Sequence, residues 1–401
     1  MNTKSFLPLG IIAIIAACDS GDPVAPRGAL AGPRHSVAAG SQWAIADTGE
    51  TGPGSSYALF VPNNWNGDAV FYAHGFRDIS DPVSLPTKDS AEVFRDKLGA
   101  QGYAVAYSSY SENGFAVKDG IQRTHQLRGL LTARAGKPNR SYLAGTSLGG
   151  VVALALAEQH PKQYDGALTM CGFVGGSKMQ IEYIANTRAV FDWFYPGVLP
   201  GNAVSMPEGT TLNEIIGKAY AAIVARPDKA FLVTQVTQTQ MQFVNSSELV
   251  VSLLNVLGFH ARGMNDLLDR THGHILFDNA TTVYTGSPAV PAWLLAAMNG
   301  PVGGVQRFES TPDAENYVAR YYEPTGDLKI PVLSMHTTRD PSVPYRHQTV
   351  FAKKVQDAGA SAMLRTRPVN RFGHCTFNTN EMVGALRDLA SWSQTGIAPA
   401  N

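Results

Sequence analysis

From residue 42 onward the chain alternates short apolar runs with segments of helical period. SSYALFVP, DAVFYAHGF, YAVAYSSY, SYLAG and GALTMCGF are rich in Val, Tyr, Leu and Phe and are bounded by turn residues, so they predict strands. Between them, SAEVFRDKLGAQG, DGIQRTHQLRGLLTARAG and LGGVVALALAEQH repeat apolar residues at helical spacing. Apolar strands separated by helices of about three turns predict an α/β fold, a mostly parallel, doubly wound sheet covered on both faces.

The alternation stops near residue 176 and resumes near 328 with IPVLSMHT, RHQTVFAKKVQDAG, SAMLRTRPV and TNEMVGALRDLASWS. In between, helical patterns dominate (TLNEIIGKAYAAIVA, SSELVVSLLNVLGF, NDLLDR, AENYVARYY), mixed with Pro/Gly/aromatic stretches such as FDWFYPGVLPG. A long insert between two strands of one sheet is most simply a mainly helical cap over the strand ends. The sequence thus divides into core residues 42–175 and 328–401 and a cap at 176–327. Large aromatics in the cap, Phe191, Trp193, Phe194 and Tyr195, either line a substrate pocket or form the cap's own core.

The N-terminus changes the picture of location. One cation, Lys4, precedes an apolar run from Phe6 to Ala17 that is too short to span a bilayer comfortably, so residues 1–18 read as an export signal. Ile15-Ala16-Ala17-Cys18 resembles the lipobox of bacterial lipoproteins, which implies cleavage before Cys18 and lipidation of that residue. Residues 19–41 are Pro/Gly/Ala-rich and read as a flexible tether, placing the protein in the bacterial cell envelope on a lipid anchor, or secreted if the lipobox is only a signal end. Setting Cys18 aside leaves Cys171 and Cys375, which in an oxidising compartment either pair or stay as buried thiols. Lys plus Arg and Asp plus Glu both number 32, so no summed field draws in phosphate backbones, and nucleic acid is not an expected partner. The only membrane contact expected is the N-terminal anchor; oligomeric state is not legible.

Gly145-Thr146-Ser147-Leu148-Gly149 lies between a strand-like run and an Ala/Leu-rich helix. This G-x-S-x-G pattern describes a serine on a tight strand-to-helix turn, with Gly145 and Gly149 leaving room for the strand and helix to approach. A hydroxyl needs a base, and the base needs an orienting group. Asp340 follows in a Pro-punctuated loop after IPVLSMHT, and His374 follows on a loop between the last strand-like run and the final helix. That is the chain order Ser, Asp, His.

With Ala73-His74-Gly75-Phe76 after an early strand, these segments resemble the serine esterases and lipases of the α/β-hydrolase superfamily, over about 42–175 and 328–401. The resemblance implies Ser147 as nucleophile, His374 as general base and then acid, and Asp340 as its orienter. It also implies oxyanion donors from the backbone N–H of Leu148 and of Phe76, or alternatively Gly75. His74 and Tyr110 are implied near the site, His74 shaping the oxyanion loop, and Trp193 and Tyr195 are candidate pocket residues from the cap. In this fold Cys171 and Cys375 would both lie near the upper sheet edge, where a disulfide would pin the histidine loop. The expected reaction is carboxylic ester hydrolysis through an acyl-enzyme on a small-molecule, lipid or polymer ester, with no metal or organic cofactor; His272 and His274 lack further ligands at metal-site spacing. Alternatives are a serine peptidase or aminopeptidase that would hold an amine through Glu182, Asp192, Glu208 or Glu214, and a surface protein that binds without catalysis.

Overall fold

The computed structural model describes residues 41–86 and 91–400; the signal segment with Cys18 and nearly all of the expected tether lie outside them. The strands are β1 (Trp43–Gly52), β2 (Ser55–Pro62), β3 (Asp68–Ala73), β4 (Ala104–Ser108), β5 (Arg140–Thr146), β6 (Gly166–Met170), β7 (Val332–Arg339) and β8 (Leu364–Phe372). They form one sheet in the order β1-β2-β4-β3-β5-β6-β7-β8. β2 pairs antiparallel with β1 and β4, and every later pairing is parallel. This order, with β3 and β4 exchanged, is the α/β-hydrolase fold.

The central strands are buried on both faces, which is why they read as unbroken apolar runs. In β3, Ala69, Phe71 and Ala73 face one apolar layer while Val70 and Tyr72 face the other. On the first face lie α2 (Val117–Ala135), α3 (Leu148–Gln159) and α10 (Arg346–Asp357); on the second lie α1 (Ala91–Ala100) and α11 (Thr379–Thr395). Helix α3 is buried on every side from Leu148 to Ala157, which its Ala/Leu/Val composition permits. β1 has no counterpart among the sequence-predicted strands. It pairs on one side only and is half exposed, so WAIADTGETG carries few of the apolar residues that betray a strand.

Between β6 and β7 the chain builds α4 (Ser177–Phe194), α5 (Leu212–Ala225), α6 (Pro227–Gln235), α7 (Ser246–Arg270), α8 (Ala292–Met298) and α9 (Pro312–Tyr322) around an apolar cluster of its own. Two patterns that read as separate, SSELVVSLLNVLGF and NDLLDR, belong to the single helix α7, whose continuity is masked in sequence by Gly258 and Gly263. Asn245 caps that helix by accepting from the Glu248 amide at 2.9 Å. No helix among the described residues is long and apolar enough to cross a membrane.

Candidate active site

Ser147 stands at the junction of β5 and α3 with φ 53° and ψ −120°, a conformation that costs a non-glycine residue on the order of 1–3 kcal/mol. The neighbours make the turn possible. A Cβ on Gly145 would sit 2.0 Å from the Gly149 carbonyl oxygen, and one on Gly149 would sit 2.0 Å from the Ala73 carbonyl oxygen. Any side chain at either position would drive α3 off β3 and β5. The turn is tied to the sheet by the Ser147 amide, which donates to the Met170 carbonyl at 2.8 Å.

The loops after β7 and β8 bring two distant residues to this serine. His374 Nε2 lies 2.8 Å from Ser147 Oγ, and His374 Nδ1 lies 2.7 Å from Asp340 Oδ2. Because an ionised carboxylate only accepts, Nδ1 carries the proton and Nε2 is left to accept from the hydroxyl. The other Asp340 oxygen accepts from the amides of Ser342 and Val343 at 2.9 and 3.0 Å. Burial favours the neutral acid, but the contacts with His374 and His336 and the hydrogen bonds outweigh it and hold Asp340 down at about 2.

His336, on β7, is a member of this cluster with no mark in the sequence. Its Nε2 donates to the Val343 carbonyl at 2.8 Å and lies 3.4 Å from Asp340 Oδ2, while its Nδ1 accepts from Gln348 Nε2 at 3.0 Å. The aspartate turn is also held from the cap, where Gln180 and Tyr183 of α4 donate to the carbonyls of Ser342 and Pro341, each at 2.7 Å.

Cys171 and Cys375 form a disulfide that links the end of β6 to the residue after His374, with their Cα atoms 5.4 Å apart. Among the described residues the metal-type grouping of Cys171, His374 and Cys375 has its ligand atoms within 4.8 Å, but with the sulfurs bonded to each other it offers no thiolate.

Leu148 opens α3, so its amide has no acceptor within the helix. Gly75 packs so close that a Cβ there would meet Ser147 Cβ at 3.3 Å, and Phe76 joins Ser147 and Leu148 in the wall of one cavity. That cavity, ≈ 520 Å³ with its open mouth, is roofed by the cap. α4 contributes Ile181 and Ile184, and α7 contributes Phe259, Gly263, Met264 and Leu267. The core contributes Phe115 and Phe173 besides Phe76, and among the described residues no charged side chain lines the wall.

Four expected pocket residues do not line this cavity. His74 is buried behind the loop, its ring stacked on Tyr110 at 3.8 Å between centroids, and Tyr110 Oη donates to the His74 carbonyl at 3.0 Å. Burial, reinforced by the Arg77 guanidinium, lowers His74 to about 4, so it shapes the loop as a neutral ring. Tyr195 stacks on Phe191 inside the cap cluster and donates to the Arg226 carbonyl, while Trp193 packs against that cluster and donates to the Gly303 carbonyl. These aromatics pack with the cap's own apolar cluster. The residues that do line the cavity from the cap lay in segments with no motif. The stripe Phe259, Gly263, Leu267, spaced by four along α7, is the one signal that periodicity offered.

Residues 99–240 match the family described as "Putative esterase". Over 413 residues the chain is 21% identical to the o-phthalyl amidase of Xanthobacter agilis, with 88% of each chain covered. Among solved structures it is similar to feruloyl esterase B from Aspergillus oryzae, at 17% identity and TM-score 0.43 over 88% of this chain and 82% of that one. It is also similar to an esterase from Aspergillus oryzae, at 13% identity and TM-score 0.46 over 88% and 80%.

Proposed function

We propose that the protein is a serine hydrolase that cleaves carboxylic esters through an acyl-enzyme. The observation that carries this reading is the continuous hydrogen-bonded line from Ser147 through His374 to Asp340, opening on an uncharged cavity. His374 Nε2 takes the Ser147 proton as Oγ attacks the ester carbonyl. The amides of Leu148 and Phe76, with Gly75 as the alternative, hold the oxyanion. The imidazolium, steadied by Asp340, returns its proton to the leaving alcohol, and the acyl group stays on Ser147. Water then loses a proton to His374, attacks the acyl carbon and releases the acid.

The match of residues 99–240 to an esterase family supports the same reaction class. The peptidase alternative gains nothing from the cap carboxylates: Glu182, Asp192 and Glu214 each pair with a cation on their own helix, Lys178, Arg188 and Lys218 respectively, and Glu208 is exposed. None of them enters the wall of the cavity. A second reading, amide cleavage, is favoured by the o-phthalyl amidase relative, because the same triad attacks both bonds. Rates on an ester and an anilide of one acid separate the two. We also place the enzyme outside the cytoplasm, on a lipid at Cys18; the signal-like N-terminus and the Cys171–Cys375 disulfide support this.

Ser147→Ala should abolish both ester turnover and labelling by a fluorophosphonate probe, with the fold intact by circular dichroism. Labelling that persists in the variant overturns the assignment of the nucleophile, and a wild type that takes no label is a binding protein.

A further inference from the structure

Helix α7 contains two glycines, and they differ in what surrounds them. A Cβ on Gly258 would make ordinary contact with Ile216 and Leu212, at 3.4 and 3.5 Å, where α5 packs against α7. A Cβ on Gly263 would meet nothing within 4 Å. Neither residue is among those with positive φ, so the helical backbone does not demand glycine at either position. Glycine in a helix interior is less stabilising than alanine. A Cβ on Gly258 would only add to the contact between α5 and α7, whereas Gly263 faces open space beside the cavity wall it shares with Ser147.

Gly263 lies one turn beyond Phe259 and one turn before Leu267, so the three form a single stripe facing the site. Phe259 meets the Phe76 ring edge-on at 5.8 Å between centroids and the His374 imidazole at 6.3 Å. Across the cavity Phe115 and Phe173 are stacked at 5.4 Å. Four phenyl rings thus surround a space that the missing side chain of Gly263 enlarges. Rings offer edges and faces to a further ring with a gain beyond area burial. A charge brought into this wall would lose its hydration and find no countercharge among the described residues that line it.

We propose that the substrate is an ester bearing an uncharged aryl group, and that Gly263 sets the size of aryl group admitted. This rests on the esterase reading above. The test uses full-length wild type, Gly263→Ala, Gly263→Leu and, as a control on an exposed helix face, Gly217→Leu. Hydrolysis of methyl acetate, methyl benzoate, methyl 2-naphthoate and monomethyl terephthalate is followed by pH-stat, with benzyl acetate to present the ring from the alcohol side. Wild type should prefer an aryl ester to methyl acetate and should turn over monomethyl terephthalate at least tenfold more slowly than methyl benzoate. Gly263→Leu should cut kcat/KM for the largest accepted aryl ester at least tenfold more than for methyl acetate, and Gly217→Leu should leave that ratio as in wild type. Gly263→Ala should raise Tm while shifting the ratio in the same direction by a smaller factor, which keeps the test intact if the leucine variant fails to fold. Equal losses on all esters, an unchanged ratio in both Gly263 variants, or no discrimination against the charged ester overturns the proposal. Fluorophosphonate labelling of Ser147 in the same samples separates that outcome from failure of the hydrolase reading itself.

Discussion

Asp340 accepts more hydrogen bonds than the orientation of one imidazole requires. Its carboxylate is fully buried, yet His374, the Ser342 and Val343 amides and the nearby His336 keep it ionised, at about 2. A carboxyl lowered on folding adds stability above its ordinary value of 3.8, and that stability is lost as pH falls toward 2. Buried histidines govern a higher window, His74, His260 and His347 among them. His74 is lowered to about 4 and His260 to about 3, each first by burial, then by the Arg77 and Arg188 guanidinium groups respectively. A histidine held neutral in the fold stabilises it above 6.5, and the contribution drains as pH falls below that value toward the lowered one. Thermal unfolding should therefore be nearly independent of pH between about 7 and 8 and fall steadily from 6.5 to 4. His260→Gln keeps a donor for the Ala203 carbonyl, bonded at 3.1 Å, and should flatten that slope by an amount on the order of 3 kcal/mol at most. A slope identical to wild type would remove His260 from the account. His260 was not distinguishable in sequence from an ordinary polar position, because burial is a property of the packed molecule, whereas His74 stood out only through the Ala73-His74-Gly75-Phe76 segment. Ser147 stood out by its G-x-S-x-G turn, and Asp340 and His374 by following it in the order Ser, Asp, His.

At the scale of elements, the loop carrying His374 is anchored at three points. β8 ends two residues before it, the Asn378–Glu381 capping box starts α11 just after it, and the disulfide joins Cys375 to the end of β6. The cysteines are 204 positions apart, and a cross-link over so long a loop is worth about 5 kcal/mol by chain entropy, more than either backbone anchor. The Cys171→Ala/Cys375→Ala protein should lose several kcal/mol of stability, and kcat should fall more than KM rises, because the displaced group, His374, is the base of the proposed reaction and not the cavity wall. Unchanged thermal unfolding in this variant would show that the other anchors suffice. The core strands were legible because two-sided burial writes itself as apolar runs. α4 was not, since Gly175-Gly176 before it and the aromatic stretch at its end look like loop chemistry, although its Gln180 and Tyr183 hold the aspartate turn.

At the scale of the molecule, the cap is fastened to the core along the whole length of α7. Near its start Glu248 pairs with Arg339 at 3.3 Å, and at mid-length Asn255 accepts from Ser342. Near its end Asp266 accepts from the Phe115 amide at 2.7 Å, while Arg270 bonds Asp266, Glu112 and the Asn113 carbonyl. The helix that roofs the cavity is thus held on both sides of Phe259 and Gly263, so the size of the cavity depends on these clamps as well as on its wall. Asp266→Ala should leave Arg270 without its helix partner and the Phe115 amide without an acceptor, costing about 3 kcal/mol. With that end of α7 loosened, Phe115 and Leu267 lose their fixed separation, and KM for aryl esters should rise several-fold while fluorophosphonate labelling of Ser147 persists. If KM stays constant as stability falls, the clamp serves folding alone, and the cavity is shaped by the cap cluster independently of where α7 meets the core.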